Sequence, residues 1–258
     1  MKLSKWHGLG NDYLLVEQAE LPVPLTPERV KRICDYHFGV GSDGILEVVS
    51  VDGDQAEVVI WNPDGSTAEL SGNGTRIAAR WLARRARTED VRILVGPRLV
   101  TARLRGERDV EQEMGAVEIG PPETIDVGGE EVELTPVSVG NPHAVIRVPA
   151  VADAPVARLG PAIENHARFP RRTNVGFMEV VDRGHIRLRV HERGTGETRA
   201  CGTGACAAVA VGRRHGLLDE NVQVDLPGGR LDIQWKGPGE PIWMTGPAER
   251  AFEGEVKP

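Results

Sequence analysis

Two stretches of the chain, 130 positions apart, repeat one pattern: Ser71-Gly72-Asn73-Gly74-Thr75-Arg76-Ile77-Ala78-Ala79 and Cys201-Gly202-Thr203-Gly204-Ala205-Cys206-Ala207-Ala208. Each is a small reactive side chain, then Gly-x-Gly, then an apolar run with helical character. The glycines let the backbone approach a ligand closely, and the helix that follows offers unpaired N–H groups and the positive end of its dipole to an anion. Two such loops imply an internally duplicated chain whose halves grip one anionic substrate between them, with one reactive side chain on each face. The duplicates differ where the chemistry would sit, with Ser71 in one and Cys201 in the other.

A chain of 258 residues accommodates two domains of ordinary size, and the repeat favours two over one. A net charge of −7 and an aromatic share of 4% argue against nucleic-acid binding. There is no apolar run of membrane-spanning length, and Met1-Lys2-Leu3-Ser4-Lys5-Trp6-His7 contains no signal-peptide core, so a cytoplasmic protein without membrane attachment is expected. Cys34, Cys201 and Cys206 match neither a disulfide framework nor zinc-ligand spacing, so reduced thiols and no metal site are expected.

Short apolar runs bounded by turn residues predict strands over 57–62, 91–95, 100–105, 110–119, 132–139, 144–148, 174–181, 185–191, 222–226, 230–235 and 242–245. Helical periodicity is confined chiefly to 27–37, 74–87 and 204–215, and the last two are the helices that the Gly-x-Gly loops would open. The expected fold class is α/β (α+β), a mixed, mostly antiparallel sheet wrapped around a central helix, twice over. The expected halves are 1–119, with 248–258 packing back on it as a strand, and 120–247. Gly120 to Gly129 is the best linker candidate.

A helix N-terminus lowers a thiol pKa, and Cys201 stands where that effect is largest, which marks it as a thiolate base or nucleophile. Cys206 and Cys34 read as core. Asn11, Asn62, Asn141 and Asn174, the pair Glu192 and Arg193, and His143 all fall in turn-like contexts at strand ends. Any one of them could be turn chemistry alone. Together they suit an amino acid, because Asn serves carboxylate or ammonium, Arg a carboxylate and Glu an ammonium. Arg80, Arg84, Arg85 and Arg87 read as a solvated helix face. Gly39-Val40-Gly41-Ser42-Asp43-Gly44 lacks the lysine of a phosphate-binding loop and is discounted.

Nearly end to end, the chain resembles the diaminopimelate epimerase family. The resemblance is carried by Lys5-Trp6-His7-Gly8-Leu9-Gly10-Asn11-Asp12, Asn62-Pro63-Asp64-Gly65-Ser66, Gly140-Asn141-Pro142-His143, and the diagnostic run from Glu192-Arg193-Gly194 through Ala200-Cys201-Gly202-Thr203-Gly204-Ala205. It implies two pseudo-symmetric halves with the site in the cleft between them, a homodimer, and a small amino-acid substrate. The implied reaction is inversion at one α-carbon of LL-2,6-diaminopimelate, with no pyridoxal or other cofactor. Cys201 would be one of two opposed acid–base groups, with His143 and Glu192 assisting. Asn11, Asn62, Gly72, Asn73, Asn141, Asn174, Glu192, Arg193, Gly202 and Thr203 would contact substrate.

The departure is Ser71, which stands where the family has its other catalytic cysteine. A hydroxyl is a weak base without an activating neighbour. Three readings follow: an activated serine in a working epimerase, water serving that face, or a one-base exchange or elimination by Cys201 alone. A catalytically impaired amino-acid-binding homologue is the reading from a different class. The intact substrate-binding set favours the epimerase.

Overall fold

The structure, a computed structural model, describes residues 1–256, so the last two positions of the expected strand segment 248–258 lie outside the described residues. The chain divides into two compact units, one of Met1–Gln112 with the residues from Gly246 on, the other of Glu113–Thr245.

The first unit contains β1 (Lys2–Gly8), β2 (Asn11–Glu17), α1 (Pro27–Cys34), β3 (Ile45–Asp52), β4 (Gln55–Trp61), β5 (Thr67–Ala68), α2 (Gly72–Ala86), β6 (Asp90–Val95), β7 (Arg98–Arg105) and most of β8 (Asp109–Gly115). The strands pair antiparallel except for β2 with β3 and β4 with β6. The sheet wraps α2, whose Ile77, Ala78, Ala79 and Leu82 are buried against Leu46, Ile60 and Ile93 among others. Small and aliphatic residues fill most of its buried surface, and its two buried arginines, Arg76 and Arg80, are taken up by hydrogen bonds.

The second unit contains β9 (Glu118–Ile119), β10 (Glu123–Asp126), β11 (Glu131–Ser138), β12 (Pro142–Arg147), α3 (Val156–Glu164), β13 (Asn174–Asp182), β14 (His185–Glu192), β15 (Gly196–Thr198), α4 (Gly202–Arg214), β16 (Asn221–Leu226), β17 (Gly229–Gln234) and most of β18 (Ile242–Pro247). The chain then returns to the first unit as β19 (Glu249–Glu255), antiparallel to β1. Here the parallel pairs are β12 with β13 and β14 with β16, each ten strands on from its counterpart. The register repeats too: Leu14 pairs with Ile45 and Ile45 with Trp61, and 130 residues later Ala144 pairs with Val175 and Val175 with His191.

Several local features depart from the sequence-based expectation, among them the strand expected over 110–119, which is two strands, β8 and β9, and the helix expected over 27–37, which ends at Cys34. β1, β2 and β3 are strands that the pattern hid, because β1 buries a polar Ser4, held by Trp6 Nε1 at 2.8 Å, and so does not alternate cleanly. Helix α3 was concealed by Gly160 and Pro161 inside it. The expected linker contains β10, paired with β11 from Glu123 to Asp126. Arg80, expected on a solvated face, is 6% exposed and donates to the carbonyls of Ala248, Glu107 and Arg108. Cys34 and Cys206 are buried core residues as read, and burial pushes the Cys34 thiol up to about 11. Among the described residues no helix is long and apolar enough to cross a membrane.

Candidate active site

Helices α2 and α4 each begin two residues earlier than their periodicity indicates, at Gly72 and Gly202. The two reactive side chains are therefore the N-caps themselves. Ser71 Oγ accepts from Gly74 N at 3.0 Å, and Cys201 Sγ accepts from Gly204 N at 3.4 Å. A Ser, Thr, Asn or Asp oxygen at this position satisfies a free helix N–H. A thiol in the same place is a weaker acceptor whose retention needs another reason.

In the first unit, Asn73 Nδ2 donates to Asn11 Oδ1 at 3.0 Å, and Asn11 Nδ2 donates to Asp43 Oδ2 at 3.0 Å. Arg76, fully buried, donates to Asn73 Oδ1 at 2.7 Å and to Gly72 O at 3.1 Å, so the first turn of α2 is braced from within. Gly8 leaves room for this, since a Cβ there would lie 2.8 Å from Arg76 Nη2. Tyr13 Oη donates to Ser71 Oγ at 3.0 Å. Asn62 sits just past β4 and donates to Ser66 Oγ at 2.9 Å, which is turn chemistry rather than a bond to the Ser71 loop. Tyr13, Asp43 and Arg76 carried no sequence signal as site residues. Tyr13 lies inside an apolar run, and Asp43 lies in the discounted glycine-rich loop.

In the second unit, Cys201 is 4% exposed. Its Sγ stands 3.6 Å from Thr203 Oγ1. Thr203 Oγ1 also receives Asn141 Nδ2 at 3.2 Å and lies 3.0 Å from His143 Nε2. Burial, followed by the positive charge of Arg193, pushes the His143 imidazole down to about 3, so it is neutral at neutral pH. Its Nε2 also lies 3.1 Å from Asn141 Oδ1, so Asn141, His143 and Thr203 form one polar cluster beside Cys201.

Cys201 itself corrects an expectation. Burial, then the charge of Glu192, push its thiol well above the ordinary value, outweighing the hydrogen bonds from Thr203 and Gly204 that favour thiolate. The thiol is thus the resting form, and a cation that offsets Glu192 would shift it toward the thiolate. Replacing Glu192 by Gln removes the second-largest cause. The pH midpoint for alkylation of Cys201 by iodoacetamide is expected to lie above that of a free thiol and to fall in Glu192→Gln. An unchanged or higher midpoint would show that Glu192 does not control this thiol.

Asn174 has both ends of its amide engaged by backbone, donating to Pro142 O at 2.8 Å and accepting from Arg193 N at 2.9 Å. Its evident role is to fix the turn that presents Glu192 and Arg193. Thr198 Oγ1 donates to Glu192 Oε1, while the exposed Arg193 guanidinium donates to Arg171 O at 3.1 Å. Glu164, at the end of α3, ties the same turn by accepting from Gly194 N and pairing with His191 Nε2, each at 2.8 Å. No motif pointed to Glu164.

The fold and the two N-capped, enclosed helices define a class of duplicated α+β proteins. A PhzF-family phenazine biosynthesis protein from Bacillus anthracis shares this fold, with a TM-score of 0.77 at 16% identity over 100% of this chain and 99% of that one. The family model for diaminopimelate epimerase matches residues 3–120 and 135–251. Diaminopimelate epimerases of Alkalilimnicola ehrlichii and Stutzerimonas stutzeri are 49% and 44% identical to it, each over 100% of this chain and 99% of the relative. The chain belongs to the diaminopimelate epimerase family and is an isomerase.

Proposed function

We infer that this chain interconverts LL-2,6-diaminopimelate and meso-diaminopimelate by removing the α-proton from one face and returning a proton to the other, without pyridoxal phosphate. The observation that carries the reading is the pair of N-caps: Ser71 and Cys201 hold corresponding positions in a duplicated fold, in a chain 49% identical along its whole length to a diaminopimelate epimerase. Cys201 serves one face and Ser71 the other. The N-termini of α2 and α4, with the N–H groups of Gly72, Asn73, Gly202 and Thr203, stabilise the α-carboxylate as negative charge builds on the α-carbon. Glu192 takes an ammonium and Arg193 a carboxylate. Asn11, Asn62, Asn141 and Asn174 hold or orient the remaining polar groups, and His143 acts on Cys201 through Thr203. The reading includes a homodimer working in the cytoplasm on a step toward lysine.

Proton NMR of LL- and meso-diaminopimelate in D₂O with the purified protein, followed by chiral analysis of the product, tests it. Deuterium incorporation with inversion is the expected result. Incorporation without inversion would assign the chain to one-base exchange by Cys201, and binding without incorporation to an amino-acid-binding role.

A further inference from the structure

Ser71 Oγ accepts two hydrogen bonds, from Gly74 N and from Tyr13 Oη, each at 3.0 Å. Both lone pairs of the hydroxyl are then engaged, and what it has left to offer a ligand is its proton. The Tyr13 ring is 6% exposed and fills space that Gly44 vacates. A Cβ on Gly44 would lie 2.7 Å from Tyr13 Cε1 and 2.4 Å from Trp61 O.

The duplicated register supplies an independent argument. Tyr13, on β2, holds the position in the first unit that His143, on β12, holds in the second, since the flanking pairs Leu14 with Ile45 and Ala144 with Val175 are 130 residues apart. Each unit thus sets a titratable ring from the corresponding strand against the start of its enclosed helix. His143 meets Thr203 at 3.0 Å, and Tyr13 meets Ser71.

We propose that Tyr13 and Ser71 together form the second acid–base group of this enzyme, with serine handing the proton to carbon and tyrosine resupplying it. Tyr13 touches no substrate atom in this scheme and is a positioning residue that acts through Ser71. In one direction the Cys201 thiolate forms an S–H bond with the α-proton as the C–H bond breaks, leaving the electron pair on carbon. That pair forms a new C–H bond with the Ser71 proton as the serine O–H bond breaks. Ser71 Oγ takes the Tyr13 proton, and the electron pair of that O–H bond stays on Tyr13 Oη. Thiolate and phenol become thiol and phenolate, nothing is oxidised or reduced, and the opposite direction retraces each step. An isolated serine could not do this well, because an aliphatic hydroxyl is far less acidic than a thiol. A phenol is a stronger acid than an aliphatic hydroxyl, so the pair recovers part of the acidity lost with the missing cysteine.

The proposal rests on the epimerase reading above, and the test separates the two. Epimerisation of LL-diaminopimelate is measured for the full chain, Tyr13→Phe, Ser71→Cys and the double variant. Phenylalanine keeps the ring and its packing. In the native chain Tyr13→Phe is expected to lower kcat by about 100-fold with KM changed less than about threefold, the size of a lost general acid–base step. In the Ser71→Cys background the same change is expected to cost only a few-fold, because a thiol is acidic enough to give up its proton without a relay. Equal losses in both backgrounds, or none in the native chain, would reduce Tyr13 to a packing residue and overturn the relay. An inactive native chain beside an active Ser71→Cys would overturn the relay and leave the family activity standing. Inactivity of all four chains would overturn the epimerase reading and the relay with it.

Discussion

Cys201→Ala is expected to lower epimerisation by about 1,000-fold while leaving diaminopimelate binding within a few-fold of the native chain. General acid–base groups contribute about 100- to 10,000-fold, and here one thiol carries the whole of one face. The surrounding hydrogen bonds are directed at that sulfur. Gly204 N donates to it, and Thr203, held by Asn141 and His143, stands 3.6 Å away. An alanine leaves those donors aimed at a methyl group. The loss of this weak thiol cap should cost less than the ~1 kcal/mol of emptying an ordinary N-cap, so the variant remains folded. Turnover by chiral chromatography and affinity by calorimetry separate the two effects. Residual activity above about one tenth of native would show that Cys201 is not the base.

Much of the architecture was legible because the duplication left its mark at one fixed offset. The two Gly-x-Gly loops, the strands from 57–62 through 242–245 and the two enclosed helices all follow from periodicity and turn residues, and the observed register repeats at the same 130-residue spacing. Polar groups that work through other residues were not legible. Tyr13 looks like one more aromatic in an apolar strand until the structure puts its hydroxyl on Ser71. Glu164 corresponds in the duplication to Cys34, and His191 to Trp61, both of which pack in the apolar core of the first unit. The same two slots became a buried polar pair in the second unit, and neither spacing nor composition records that exchange. The raised thiol of Cys201 was hidden for a related reason: the helix dipole is visible in a sequence, whereas burial and the proximity of Glu192 are not.

That buried pair is where the largest effect on stability should fall. A glutamate at the last position of a helix opposes the helix dipole, so Glu164 is in an unfavourable place on α3 unless something else retains it. Its side chain is 7% exposed and meets His191, 10% exposed, at 2.8 Å, while its other oxygen accepts from Gly194 N at 2.8 Å and from the half-exposed Arg172 at 3.1 Å. Burial works against ionisation of Glu164, yet the bonds from His191 and Gly194, with the charges of His191 and Arg172, outweigh it and hold the carboxyl below its usual range. Glu164→Ala strands a buried imidazole nitrogen and a backbone N–H together, for a loss of about 3 kcal/mol. For a chain of this size that corresponds to a melting temperature lower by roughly 6–12 °C. Because the folded carboxyl titrates below its unfolded value, this stabilisation is present above the ordinary carboxylate range near 4.3 and disappears as the pH falls through the folded value. The native chain should therefore lose more stability than Glu164→Ala as the pH falls below about 4.3, and the two melting curves should converge in acid. The turn released by the substitution carries Glu192 and Arg193, so epimerisation should fall as well, with a rise in KM from the misplaced Arg193. A variant with native stability and native KM would show that Gly194 and His191 hold this turn without Glu164.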